Sequence, residues 1–147
     1  MAEAVFAHTV DKAGLKSRFA TIDSCGTGAY HEGEEPDERT VAVLNKKGIP
    51  VNCLARAVTK EDFSRFDYIF GMDSNNVSNL QRMQPKSSKA RVFLFGHFDD
   101  GKPIYDPYYG IGGSGFQSTY EQCVRYSRAF LEKELGLKVP QHVASQL

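Results

Sequence analysis

The sequence predicts an α/β domain in which an open parallel sheet lies between two layers of helices, the three-layer arrangement called doubly wound. Strand-like and helix-like segments alternate along most of the chain, and strands separated by helices pair in parallel through right-handed crossovers. The 147 residues, 41% hydrophobic and 24% charged, suit one globular domain with its own core. We therefore expect a single domain over residues 1–147.

The first third of the chain predicts a helix, a strand and a second helix. Apolar residues recur at helical spacing across residues 2–13, and Gly14 supplies a stop. Residues 18–24 contain a short apolar run that ends before a glycine-rich turn, which favours a strand. Asp37 is expected to cap the next helix, which turns Leu44 inward.

The middle of the chain predicts a strand followed by a helix, preceded by a helical turn. Thr59 is expected to cap that turn, with Asp62 reaching back to it. Residues 66–72 are rich in aromatic and β-branched side chains and predict a strand. Asp73 then caps a helix that continues through Met83, so a further strand–helix unit is expected.

The last third predicts one more strand, a loop and a long helix. Residues 91–95 have strand composition, and residues 116–135 place apolar side chains on one helical face. The tail over residues 137–147 is expected to fray.

Composition excludes several classes of function. The 18 Lys and Arg residues balance 18 Asp and Glu residues, so no overall field favours nucleic acid or an anionic membrane as a partner. No apolar run approaches the roughly 20 residues that span a bilayer, and no basic segment and apolar stretch follow Met1. We expect a cytoplasmic protein with neither nucleic-acid nor membrane partners.

The cysteines and histidines indicate neither disulfides nor a metal site. Three cysteines without close spacing, Cys25, Cys53 and Cys123, are expected to be free thiols. The four histidines are scattered without ligand spacing, and solvent-facing positions are expected for His8, His31, His97 and His142.

The run from Ile104 to Gly110 places a carboxylate, Asp106, beside a proline and among tyrosines. A carboxyl group held this way suits a general acid. A phenolate, whose free pKa is about 10, leaves far more easily when it is protonated.

Four motifs and a C-terminal segment together carry a resemblance to a known family. They are MAEAVF at 1–6, DSCGT at 23–27, YIFGMD at 68–73, DPYYG at 106–110, and residues 123–135. In this order they resemble the low-molecular-weight protein tyrosine phosphatases, from Met1 to about Leu135.

The resemblance implies roles for several residues. Asp106 corresponds to the general acid and base, and Tyr108 and Tyr109 border the entrance to the active site. Tyr30 matches an aromatic position on the opposite wall. Ser24 and Asp73 support the phosphate-binding loop. The implied substrates are phosphotyrosine proteins or small aryl phosphates, and the implied mechanism requires no metal or other cofactor.

The nucleophile of that family lies in a C-x5-R loop just before the MAEA-like helix, and the present chain contains no such motif. Six residues beyond Cys25, Cys53 and Cys123 stand His31, Thr59 and Ala129. The resemblance therefore implies an N-terminally truncated phosphatase without its central first strand and phosphate cradle. We expect the 147 residues alone to be inactive and less stable than a longer form.

Two alternatives remain open at this point. One is a non-catalytic interaction or regulatory protein, in which Tyr108 and Tyr109 become phosphorylated and recruit partners. The other is arsenate reduction, which needs nucleophilic and resolving thiols and draws little support from the cysteine spacing. Relatives often have His at Cys53, which places in doubt any buried Asp–His contact of Asp23 implied by the family.

Overall fold

The computed structural model describes residues 1–26, 38–49, 56–104 and 114–139, and consists there of helices around a short parallel sheet. Short 3-10 segments lie at Lys16–Arg18 and Phe95–Phe98, and a π-helical turn at Phe130–Glu134. The main elements are α1 (Ala2–Lys12), α2 (Glu38–Lys46), α3 (Asp62–Arg65), β1 (Tyr68–Gly71), α4 (Ser74–Met83), β2 (Arg91–Leu94) and α5 (Ser114–Ala129).

The strands β1 and β2 are parallel neighbours joined through α4. Their register pairs Tyr68 with Arg91 and Gly71 with Leu94. Side chains alternate across β1: Tyr68 and Phe70 pack on one hydrophobic cluster and Ile69 on another, because successive side chains of a strand point to opposite faces. Helices cover both faces, which confirms the predicted α/β class with a parallel sheet between two helical layers.

The two helical layers differ in size. The larger cluster joins α1, α2 and α5, with Val5, Leu44 and Tyr126 fully buried. The smaller cluster lies on the opposite face, where Phe63 of α3 and Leu80 of α4 are buried. Burial of large apolar side chains on both faces is the main stabilising contribution to this layered structure.

The long C-terminal helix is confirmed, but its last turn is wider than predicted. The α-helix ends at Ala129, and the amide of Leu135 donates to the carbonyl of Phe130 at 3.3 Å, a spacing of five residues. Phe130 and the next residue, Leu131, are both buried. The ring of Phe130 lies 4.9 Å from that of Phe70, so this turn anchors α5 to β1.

The strand predicted at residues 18–24 is wrong. Lys16–Arg18 form a 3-10 turn, and residues 19–25 have no regular secondary structure. The one strand-like contact nearby is an isolated parallel bridge between Gly26 and Ala57. A strand requires a hydrogen-bonded neighbour as well as suitable residues, and no strand in the described part of the chain lies beside this segment.

The remaining sequence predictions have mixed outcomes. The helices and strands expected around residues 2–13, 66–72, 73–83 and 91–95 are confirmed within a few residues. Asp37, the expected cap of α2, lies outside the described residues. Of the predicted fraying tail, Leu137 and Val139 pack on the larger cluster, and the rest also lies outside them.

Candidate functional site

Ser24 lies close to the first turn of α1. Its hydroxyl donates to Oε1 of Glu3 at 2.8 Å, and its amide donates to Oδ1 of Asp23 at 2.8 Å. Glu3 stands in the first turn, where a carboxylate interacts favourably with the positive end of the helix dipole. Ser24 is therefore fixed beside the N-terminus of α1.

Asp73 lies immediately beyond the carboxyl end of β1 and caps α4. Its Oδ1 accepts the amide of Asn76 at 2.8 Å, the interaction predicted from the sequence. The Asn76 side chain in turn accepts the amide of Met72 at 3.2 Å. These reciprocal contacts fix the turn between strand and helix at the edge of the sheet where ligands bind in doubly wound folds.

The segment that leads to Asp106 begins at the same end of β1. The amide of Ile104 donates to the carbonyl of Met72 at 2.8 Å. Met72 directly precedes Asp73, so residue 104 is tied to the strand end that carries this carboxylate.

An ion-pair network centred on Arg56 holds Asp23, the residue that precedes Ser24. Arg56 donates to both carboxylate oxygens of Asp62, at 3.0 and 3.1 Å, and its Nε donates to Asp23 at 3.0 Å. Asp62 also accepts the amide of Thr59 at 2.8 Å, which confirms the predicted contact of Asp62 with Thr59, but the N-cap of α3 is Glu61 and not Thr59. The guanidinium of Arg56 thus joins Asp23 to Asp62 at the start of α3.

The network shifts the pKa of both partners. Burial alone would raise the pKa of Asp62, whose side chain is 5% exposed, but hydrogen bonds from Arg56 and Thr59 outweigh it and lower that pKa. The hydrogen bond to Asp62 is the largest cause of the raised pKa of Arg56. Both groups are therefore charged at neutral pH.

Sequence reasoning missed Glu3 and Arg56. Glu3 was visible only as part of the MAEAVF motif, and its contact with Ser24 spans 21 residues. Arg56 was not singled out, although it is the partner of Asp23 in this structure. The capping pattern Thr59–Asp62 was the available signal for a fixed carboxylate nearby.

Four predicted site residues lie outside the described part of the chain, namely Asp106, Tyr30, Tyr108 and Tyr109, and so does Cys53. Of the other predicted site residues, Asp73 caps the start of α4, and Ser24 hydrogen-bonds to Glu3 in the first turn of α1. Cys25 is a free thiol in an exposed residue, and partial desolvation of its sulfur is the main cause of its raised pKa. Cys123 is buried, which raises its pKa to about 12. Both thiols are therefore protonated at neutral pH, whereas a nucleophilic cysteine must be a thiolate.

Comparison with known proteins decides the family. The family model described as low molecular weight phosphotyrosine protein phosphatase matches residues 1–141. The chain belongs to this family.

Individual relatives agree with the family match. The Schizosaccharomyces pombe low molecular weight phosphotyrosine protein phosphatase is 53% identical over 90% of this chain and 86% of its own length. The Saccharomyces cerevisiae relative is 44% identical over 92% and 86%, respectively. The crystal structure of Primo-1 superposes with a TM-score of 0.84 at 41% identity, covering 91% of this chain and 88% of Primo-1.

Membership in the low molecular weight phosphotyrosine protein phosphatases agrees with the layered fold. Within residues 1–26, 38–49, 56–104 and 114–139, no helix has the length and apolar character needed to cross a bilayer.

Proposed function

We propose that this domain serves the hydrolysis of phosphotyrosine in proteins through a phosphocysteine intermediate, and that residues 1–147 by themselves lack the groups that start the reaction. The observation that supports it most directly is the hydrogen bond from Ile104 to Met72, because it ties the approach to Asp106 to the strand end bearing Asp73. The names of the relatives support the substrate class.

The proposed reaction has two steps. The thiolate of a C-x5-R loop attacks phosphorus, the bond from phosphorus to the tyrosine oxygen breaks, and Asp106 donates its proton to the leaving phenolate. Water then attacks the phosphocysteine, Asp106 accepts a proton from it, and phosphate leaves with the thiolate restored. Tyr30, Tyr108 and Tyr109 form the walls against which the substrate ring packs.

Ser24 and Asp73 support the loop rather than react. Each already has a fixed hydrogen bond, Ser24 to Glu3 and Asp73 to Asn76. A loop placed between them would find one hydroxyl and one carboxylate held in position, which reduces the entropy lost on ordering the loop.

The 147-residue polypeptide has no C-x5-R motif. It therefore lacks the nucleophile and also the arginine and ring of backbone amides that would bind the phosphate. Location in the cytoplasm belongs to the same proposal, because the thiols Cys25 and Cys123 are free.

The test compares two purified proteins: the 147-residue chain, and a chimera in which the strand and C-x5-R loop implied by the family resemblance precede Met1. With p-nitrophenyl phosphate the chimera is expected to turn over and the short chain to match buffer. Asp106→Asn in the chimera should lower kcat by about 10²–10⁴-fold. Glu61→Gln, which removes an exposed carboxylate without a proposed role, is the matched control and should leave kcat unchanged.

Two results would overturn the proposal. One is turnover by the short chain that Asp106→Asn removes, since it would require a nucleophile within these residues. The other is a chimera that folds cooperatively and binds phosphate but has no activity, which would favour a non-catalytic interaction or regulatory protein.

A further inference from the structure

The segment at residues 99–104, which precedes the proposed general acid in the sequence, belongs to no helix or strand, and side chains of α5 hold it. The carboxylate of Asp100 is the centre of this contact. Its Oδ1 accepts the hydroxyl of Tyr126 at 2.7 Å and the amide of Lys102 at 2.9 Å. Arg125 donates from Nη2 to the other carboxylate oxygen at 3.1 Å. One acidic side chain therefore joins the segment to two consecutive residues of α5.

Gln122 makes a second attachment one turn earlier on α5. Its Nε2 donates to the carbonyl of Pro103 at 3.1 Å and to the hydroxyl of Tyr126 at 3.3 Å. Because an ionised carboxylate can only accept, the hydroxyl of Tyr126 accepts from Gln122 and donates to Asp100. The two attachments are therefore linked through one hydroxyl group.

Tyr126 is fixed in the core of the domain. Its side chain is fully buried, and its ring lies 5.7 Å from that of Phe95 in an edge-to-face arrangement. Burial, with the hydrogen bond to Asp100, raises the pKa of its phenol to about 12, so the hydroxyl keeps its proton at neutral pH. A Cβ atom at Gly96 would lie 2.9 Å from Cζ of Tyr126 and 2.6 Å from the carbonyl oxygen of Lys102. The ring and the segment therefore pack closely on the same stretch of backbone.

The far end of the segment is attached to the sheet. The amide of Ile104 donates to the carbonyl of Met72 at 2.8 Å, at the carboxyl end of β1. The segment is thus held at Asp100, at Pro103 and at Ile104, and Asp106 follows two positions later. Two residues span at most about 7 Å, so these attachments limit where the carboxyl group of Asp106 can lie.

We propose that Tyr126 is a positioning residue for the proton transfer by Asp106. It acts through Asp100, and Gln122 supports it at Pro103. This role rests on the proposed phosphatase function. A general acid must stand within hydrogen-bond distance of the leaving oxygen, and a misplacement of about 1 Å can cost about 10²-fold in rate. Tyr126 itself contacts no substrate in this scheme.

The test measures kcat/KM of the C-x5-R chimera with phenyl phosphate and with p-nitrophenyl phosphate. Phenolate is the more basic leaving group, so its departure depends more strongly on protonation. Because kcat/KM includes the step in which the leaving group departs, Tyr126→Phe should lower it about tenfold with phenyl phosphate and less than about threefold with p-nitrophenyl phosphate. Asp106→Asn should show the same selectivity with a larger loss.

Tyr120→Phe is the matched control. Tyr120 is also a buried tyrosine of α5, but its hydroxyl has no hydrogen-bond partner in the described part of the chain. Removal of that oxygen should leave the ratio of the two kcat/KM values unchanged. Gln122→Met keeps the length of a half-buried side chain and removes its donor, so it should change the ratio in the same direction as Tyr126→Phe. Circular dichroism shows whether each variant is folded.

Hydrogen exchange in the 147-residue chain gives a second readout that needs no activity. Tyr126→Phe should speed exchange of the Lys102 and Ile104 amides about tenfold, because Asp100 loses its hydrogen bond from the core and the segment opens more often. The amide of Asn76, which donates to Asp73, should keep its exchange rate.

Three results would overturn the role of Tyr126 and leave the proposed function standing, provided that Asp106→Asn remains selective for phenyl phosphate. They are an equal loss with both substrates, no loss with phenyl phosphate, and unchanged exchange at Lys102 and Ile104. If Tyr126→Phe does not fold, Gln122→Met decides by the same criterion. A chimera in which Asp106→Asn loses no activity would overturn the proposed function and the role of Tyr126 together.

Discussion

The two edges of β1 differ in how completely they are bonded. The carbonyl of Asp67 accepts the amide of Arg91 at 2.9 Å, so Ile69 and Gly71, two and four residues further along, direct their backbone groups toward β2. Tyr68 and Phe70 direct theirs toward the opposite edge, where no strand in the described part of the chain pairs with them. Their side chains are only partly buried, unlike those of a strand enclosed in a parallel sheet.

The Asp73 side of the candidate site, which follows the paired strand, is built from local structure. The Ser24 side is built from long-range side-chain contacts. Asp73 follows β1 directly and is fixed within four residues by a helix cap. Ser24 stands in a segment without a ladder and relies on Glu3, while its neighbour Asp23 relies on Arg56. The cap at Asp73 should tolerate substitutions elsewhere in the chain, whereas the position of Ser24 should depend on Glu3 and Arg56.

Adding a strand to the unpaired edge of β1 should have the largest effect. The chimera that carries the added strand and C-x5-R loop should gain more than about 3 kcal/mol of unfolding free energy, because it buries the apolar surface of Tyr68 and Phe70 and pairs their backbone groups. Urea denaturation followed by circular dichroism measures the gain.

A chain with a Gly/Ser-rich extension of equal length is the control for that measurement. It adds residues but no strand, and its unfolding midpoint should equal that of the 147-residue chain. Equal midpoints for all three proteins would mean that the backbone groups of Tyr68 and Phe70 already have hydrogen-bond partners at the second edge of β1.

Sequence reasoning was most accurate where the determining interactions are local. The strand at Tyr68–Gly71, the cap at Asp73 and the helix after it follow from residues within a few positions of one another. The strand expected at 18–24 failed because residue composition does not reveal whether a neighbouring strand exists.

The candidate site was predictable only in part for the same reason. Ser24 and Asp73 were identified through motifs, and of their contacts only the cap formed by Asp73 follows from the local sequence. The contact of Arg56 with Asp23 joins residues 33 positions apart, and no periodicity or spacing signals such a pair. Pairs of this kind are fixed by tertiary packing.

Removing the charge of Asp62 should have the next largest effect. Asp62→Asn keeps the shape and leaves an oxygen for the amide of Thr59, but Arg56 loses its largely buried partner. The expected loss is about 1.5–3 kcal/mol of unfolding free energy, the range for hydrogen bonds between charged groups, because Arg56 is partly exposed and keeps Asp23 as a partner. Asp67→Asn, whose side chain is 80% exposed, is the control and should change stability by less than about 0.5 kcal/mol.

The ion pair between Arg56 and Asp62 predicts that the free energy of unfolding depends on pH. The folded state lowers the pKa of Asp62, so its stabilising contribution is present above the unfolded pKa of about 4 and is lost as pH falls through the lower folded value. The stability difference between wild type and Asp62→Asn should therefore be constant above about pH 5 and shrink in more acidic solution. A difference that grows toward low pH would contradict the lowered pKa.

Removing the α4 cap should have a smaller effect. Asp73→Ala deletes the acceptor for the Asn76 amide and should cost about 1 kcal/mol. Asp73→Ser retains a capping oxygen and should recover most of that loss. If both variants were equally unstable, the carboxylate charge of Asp73 rather than the cap would be the stabilising feature.

Ser24→Ala should have the smallest effect on stability, and it tests the role of Ser24 directly. Its hydrogen bond to Glu3 is exposed, so its loss should cost less than about 0.5 kcal/mol, comparable with Ser118→Ala on the exposed face of α5. In the chimera, however, Ser24→Ala should lower kcat while Ser118→Ala should not, because only Ser24 stands beside the start of α1. A large stability loss without a change in kcat would instead mean that Ser24 holds residues 19–26 in place and does not support the loop.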